Sequence, residues 1–149
     1  MTGIIDMNLI WGVILISVTL KCWVGQIIIA FSPKVAAKIR IIEPESDVDP
    51  TFFADMHGGA IWDAISLWTL PFAGILLITN NTSWAYFGLV GGGIYLNFVG
   101  RGIASRITMQ RHGIRIGRSK NLKVNYLILI LWGLIAIVTI IMAVATLTL

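Results

Sequence analysis

The sequence predicts an all-α protein: a bundle of four transmembrane helices, both termini outside, with basic cytoplasmic loops. Three observations predict it. Hydrophobic residues make up 57% of the 149-residue chain and charged residues only 12%, against about 25% charged in an ordinary soluble domain. The apolar excess is gathered into four runs, at about residues 9–31, 58–78, 84–103 and 126–149, each close to the ~20 residues that an α-helix needs to cross ~30 Å of hydrocarbon. Ten of the eleven Lys and Arg side chains fall in two stretches, 34–40 and 101–123, beside or between those runs. The runs do not alternate apolar with polar residues, which sets aside a membrane β-barrel. Residues 1–149 read as one domain.

Taken in order, the first run is not expected to be a cleaved signal peptide. Asp6 and no basic residue precede it, it is too long, and no small-residue cleavage site follows. A basic stretch comes next, then an acidic, Pro-bounded one at 43–50. Asp49 before Pro50 is a helix start, Asp as N-cap and Pro at the first helical position. The second helix should therefore begin near Pro50, run along the interface through Phe52 and Phe53, and enter the membrane near Gly58. Pro71 should kink it and free the Leu67 carbonyl. The turn at 79–83 carries two overlapping glycosylation sequons, at Asn80 and Asn81, in a hairpin short enough to read simply as a polar turn. The third helix carries Gly88, Gly92, Gly100 and Ala104, small residues at the spacing that lets helices approach closely. It should continue through Arg101 and Arg106 to about Gln110, before Gly113. The fourth run is apolar all round, which suits lipid or other membrane subunits. Trp11 and Trp84 fit the outer interface, whereas Trp23, Trp62 and Trp68 read as internal.

Four spans place the loops at 32–57 and 107–125 on one side, and the basic residues lie in or beside them. The positive-inside bias then puts both loops in the cytoplasm and both termini outside, in what is expected to be a prokaryotic plasma membrane. The same topology accounts for a pI of about 9.6 without nucleic acid as a partner. Arg111, Arg115, Arg118, Lys120 and Lys123, with no acid among them, are either a topology signal alone or a surface for anionic lipid head groups, at ~1 kcal/mol per basic residue, or for an acidic partner. The one cysteine, Cys22, forbids an intramolecular disulfide.

The eleventh basic residue, Lys21, lies inside the first run, where a central lysine costs ~2.5–3.5 kcal/mol on insertion scales and usually has a partner. Counting inward from the outer end of each run at ~1.5 Å per residue puts Lys21, Asp63, Asn97 and Arg101 at similar depth. The expectation is a buried polar layer in which Asp63 pairs with Lys21, Arg101 or both, and Asn97 joins. Asp55, His57 and Arg106 form a second polar group nearer the cytoplasmic mouth. The layer is either a register lock or the lining of a polar cavity. Asp-x-His at 55–57 supplies too few ligands for a metal, so no metal and no cofactor are expected.

Three segments carry a family resemblance. The segment 55–60 (Asp-Met-His-Gly-Gly-Ala), the glycine-rich 88–93 and the segment 100–106 (Gly-Arg-Gly-Ile-Ala-Ser-Arg) resemble the patches of small DoxX-like four-helix membrane proteins. The resemblance covers about the middle third of the chain. It implies the four-span fold and carries over no functional residue. Related four-span proteins include sterol-binding and isomerase-type members with a polar pocket; this chain has Asp63 but not the cluster of acids and histidine that such chemistry would need.

No nucleotide-binding, haem-attachment, hydrolase or Walker motif is present. The first functional expectation is a non-catalytic accessory or structural subunit of a larger membrane enzyme complex, of respiratory or metal-dependent oxygenase type, with membrane lipids and other integral subunits as partners. The alternative is a small transporter or a binder of a lipophilic ligand that uses the polar layer. An enzyme in its own right comes third.

Overall fold

The computed structural model describes residues 7–148; Asp6 with the rest of 1–6, and Leu149 at the end of the fourth apolar run, lie outside the described residues. The elements are α1 (Met7–Phe31), α2 (Pro33–Lys38), a 3-10 turn (Glu45–Asp47), α3 (Pro50–Ser66), α4 (Thr69–Ile78), α5 (Trp84–Arg111) and α6 (Ser119–Thr148). There is no strand among the described residues.

Local chemistry sets most of these limits. The Asp49 carboxylate accepts the Thr51 N–H at 2.8 Å, and Pro50 opens α3 at a position whose missing N–H costs nothing. Pro71 has no N–H to offer the Leu67 carbonyl, and the second helix divides there into α3 and α4. The Thr69 hydroxyl donates to Ser66 O at 3.1 Å and Phe72 N–H to Trp68 O at 3.1 Å, so hydrogen bonds bridge the break. Gly113, at φ 75°, follows the end of α5. The fourth helix starts at Ser119, earlier than the apolar run at 126. Gly117, at φ 122°, turns the chain, and from Ser119 onward no proline or glycine interrupts a helix until the apolar run begins.

Three helical stretches are long and apolar enough to cross a membrane: Met7–Phe31, Pro50–Ile78 taken across its break, and Ser119–Thr148. They suggest an integral membrane protein. Helix α5 is long enough, but its glycines, Asn97 and Arg101 hold its hydropathy below theirs. It lies between α4 and α6, while α4 lies between α5 and α1.

The two ends of the bundle are packed differently. At the end with the α4–α5 turn, where Asn8 donates to Asn80 at 3.5 Å, backbones come together. A β-carbon added to Gly12 of α1 would stand 2.9 Å from Gly74 O of α4, and one added to Gly74 would stand 3.0 Å from Gly12 O. Gly91 lies against Thr69 and Leu70 of α4. Gly88 and Gly92 lie against Ala143, Ile140 and the Ala136 carbonyl of α6. Leu15, Leu70, Leu77, Trp84, Ala85, Ala136 and Ala143 fill the core around these crossings. Gly100, expected on the same face, meets nothing within 4 Å. It is exposed and turned away from α6, on which its neighbour Val99, 7% exposed, packs against Gly133.

Trp62 and Trp68 are exposed, at 60% and 40%, and not internal. Each is one residue, about 100° of helix, from Asp63 or Leu67, which take the inward positions. Trp23 is half-buried and donates to Ala64 O at 2.8 Å, tying α1 to α3. The outward side of α6 shows Leu127, Leu134 and Ile141 at seven-residue spacing, each more than half exposed, as a helix facing hydrocarbon requires.

Gly12→Leu should destabilise the protein by about 1–3 kcal/mol through overpacking against the α4 backbone. Gly93→Ala, where an added methyl meets nothing within 4 Å, should be neutral or stabilising by up to about 1 kcal/mol. Thermal denaturation of both variants in one detergent measures the contrast.

Candidate functional site

At the other end, with the long loops, the helices line an open cavity of about 880 Å³. Helices α1 and α6 touch near the turn end, where Trp11 Nε1 donates to the Thr139 hydroxyl at 3.3 Å. Toward the loops both instead line the cavity, α1 from Lys21 to Ile29 and α6 from Val124 to Trp132. Helices α3 and α5 close the far side, and the loops roof it.

The centre of the polar wall is Asp63, 5% exposed. Arg101 Nη2 lies 3.4 Å from its Oδ2, with the Arg101 side chain 45% exposed to the cavity and its mouth. Gly59, one turn before Asp63, makes this pairing possible, since a β-carbon there would stand 2.7 Å from Arg101 Nη2. The guanidinium therefore lies flat on the α3 backbone. Lys21 lines the same cavity, and among the described residues it makes no ion pair or hydrogen bond. Asn97 is exposed and is not on the cavity wall. Four residues turn a helix by about 40° past a full circle; the long Arg101 side chain reaches back across that angle to Asp63, and a short amide does not. Cys22, also on the lining, is buried beside the fully buried Tyr95, whose hydroxyl donates to Thr19 O at 3.0 Å.

Of the second polar group, Asp55 and Arg106 line the cavity and His57 does not. Asp55 accepts the Ser105 hydroxyl at 3.2 Å. Arg106 donates through Nη1 to Gly102 O at 2.9 Å, and its guanidinium carbon sits 5.7 Å from the Phe52 ring centroid, close enough for a cation–π contact. Its Nε is buried and has no hydrogen-bond partner among the described residues. His57 turns away to Ala30 O, 3.0 Å from Nε2, and with that nitrogen protonated it fastens α3 to the end of α1.

The roof is a zipper of opposite charges. Asp47 pairs with Arg118 at 3.1 Å, and Glu43 accepts from Asn121 at 2.6 Å and from the Arg118 N–H at 3.3 Å. Arg115 donates to Ser46 O at 3.3 Å, and its own carbonyl accepts the Asp49 N–H at 2.7 Å. Gly117 makes room for Glu43, because a β-carbon there would stand 2.9 Å from Glu43 Cγ. Arg115 and Arg118 are thus engaged within the chain, while Arg111, Lys120 and Lys123 remain exposed. Sequence reasoning missed Glu43 and Asp47 as site residues. The signal was available in the acidic stretch at 43–49 and the basic one at 111–123, two loops of opposite sign on one side of the bundle.

The remaining wall is apolar, formed by Phe98, Ile128, Leu129 and Trp132. Phe98 and Trp132 stack at a tilt with ring centroids 5.8 Å apart. Among the described residues no group of three His, Cys, Asp or Glu side chains is placed to hold a metal ion. No known protein family, curated protein or solved structure matches the chain.

Removing Arg101 leaves a carboxylate that is 5% exposed without its charge partner. Arg101→Leu should cost about 1–3 kcal/mol of stability, and the double variant with Asp63→Leu should recover at least half of that loss. Equal losses in the single and double variants, measured by thermal unfolding in detergent, would show that the pair contributes nothing.

Proposed function

We propose that the chain is a four-span protein of a prokaryotic plasma membrane, termini outside, that binds a lipophilic small molecule in the cavity at its cytoplasmic end. The reading takes α5 as the fourth span. Its low hydropathy is acceptable in the membrane because glycines pack it against α4 and α6 and because Arg101 is paired with Asp63. The loop end is taken as cytoplasmic because the basic residues gather there.

One observation carries the functional part: the charged wall opens on a cavity of about 880 Å³ that is apolar on its other side. A register lock needs only to be closed over by packed side chains. Concave sites of ~300–1,000 Å³ with apolar walls and a few convergent polar groups are the usual form of small-molecule sites. The accessory-subunit reading has no comparable feature in its favour, since the exposed faces of α1 and α6 fit lipid as well as they fit another subunit.

The orientation predicts that, in a Cys22→Ala background, Thr82→Cys reacts with an impermeant thiol reagent in intact cells, and Ser119→Cys only after permeabilisation. The reverse pattern overturns it. For the function, native mass spectrometry of protein in nanodiscs drawn directly from the membrane should show one bound amphiphile per chain. Gly25→Phe should remove it, because position 25 lines the cavity and has no neighbour within 4 Å to resist the new side chain. An empty cavity with stoichiometric co-purification of larger membrane subunits would replace this reading with the accessory one.

A further inference from the structure

The cavity's charges are not balanced, and the imbalance identifies the ligand's polar end. Two carboxylates face the interior, and both are engaged: Asp63 with Arg101 and Asp55 with the Ser105 hydroxyl. The roof carboxylates Asp47 and Glu43 are held by Arg118 and Asn121. Three cations on the cavity wall have unused capacity. Lys21 has no partner among the described residues, Arg101 commits one terminal nitrogen to Asp63, and Arg106 Nε is buried and unsatisfied. Over the whole lining, six cations (Lys21, Lys38, Arg40, Arg101, Arg106 and Arg118) stand against four carboxylates (Glu43, Asp47, Asp55 and Asp63), which leaves two positive charges over, and the buried Arg106 Nε lacks an acceptor, a costly state for a buried donor.

We propose that the cavity takes an anionic amphiphile, a long apolar tail ending in one carboxylate or phosphate-monoester group. The anion lies among Lys21, Arg101 and Arg106, and the tail lies against Phe98, Leu129 and Trp132. The proposal rests on the reading of the cavity as a binding site. An anionic head group offsets that excess and offers acceptors to the Lys21 ammonium and to Arg106 Nε. A cationic head group would meet three like charges. A neutral one leaves the excess in place. A free inorganic anion would meet the same donors but leave the apolar wall uncovered, which is why the tail belongs to the assignment.

The test is tryptophan quenching in nanodiscs of zwitterionic phosphatidylcholine, with probes that share one brominated long chain and end in a carboxylate, a phosphate monoester, an alcohol or a trimethylammonium group. Trp132→Phe identifies the quenched residue. The carboxylate or the phosphate monoester should saturate the quenching at ~10-fold lower concentration than the alcohol, the difference that one charged hydrogen bond makes, and the trimethylammonium probe should be weakest. Lys21→Gln, at an exposed position, should erase most of that preference. Gly25→Phe should abolish saturable quenching by every probe. Equal affinity for alcohol and acids, or tightest binding of the ammonium probe, overturns the anion assignment while the binding reading stands. Displacement of the acid probe by inorganic phosphate or acetate at matching concentrations overturns the tail. The absence of saturable quenching by any probe overturns the binding reading itself.

Discussion

Backbone-to-backbone approach at the turn end is the contact on which the rest of the structure depends. Gly12 and Gly74 bring α1 onto α4, Gly91 brings α5 onto α4, and Gly88 and Gly92 bring α5 onto α6. In hydrocarbon the lipid tails are as apolar as the side chains, so helices associate through close packing and hydrogen bonds and not through burial from water. Small residues that allow such approach therefore decide where the helices are held. They are gathered toward one end. At the loop end α1 and α3 still pack, through Ile29 and Ala60, but Gly25 of α1 has no neighbour within 4 Å and lines the cavity that lies between α1 and α6 there.

An open end has to be finished in another way, and here charge does it. The roof joins two loops that are distant in sequence through Asp47–Arg118, Glu43–Asn121 and the backbone bond from Asp49 to Arg115. Exposed ion pairs are individually weak, at ~0–1 kcal/mol. The roof is held by several such contacts together with buried apolar packing of Val48, Phe52, Ile116 and Leu122 beneath it. That small cluster is separate from the main core, so the roof is a unit attached to the bundle rather than a continuation of it.

The helices were readable in the sequence because hydropathy and cap chemistry are local. Asp49–Pro50 starts α3, Pro71 divides it from α4, and Gly113 follows the end of α5. The early start of α6 was hidden because Lys120, Asn121 and Lys123 break an apolar pattern without breaking a helix. Depth counting brought Lys21, Asp63 and Arg101 to one cavity but set Asn97 there too. Depth fixes position along the axis and says nothing of azimuth or reach, and those separate a long guanidinium from a short amide at the same level. His57 was grouped with Asp55 by proximity in sequence, yet two residues turn a helix by about 200°, so the two face opposite ways. The cavity itself was beyond local reading, because it exists only through the uneven placement of glycines on four different helices.

On the proposed binding reading, the polar layer need not be either a lock or a site, because one arrangement could serve both. Gly59 lets the Arg101 guanidinium lie on the α3 backbone, and Asp63 holds one of its nitrogens. A side chain as long as arginine would otherwise sample many rotamers, and ordering it only when a ligand arrives would cost binding energy, at ~0.5–1.5 kcal/mol per immobilised side chain. Here the ordering is done by the fold, before any ligand enters. Asp63 neutralises Arg101 only partly, because a single carboxylate oxygen at 3.4 Å engages one edge of a guanidinium that has five N–H donors. The remaining donors stay directed at the cavity together with those of Lys21. The interaction that ties α3 to α5 is therefore also the one that, in the proposed reading, presents a preorganised cation to the cavity.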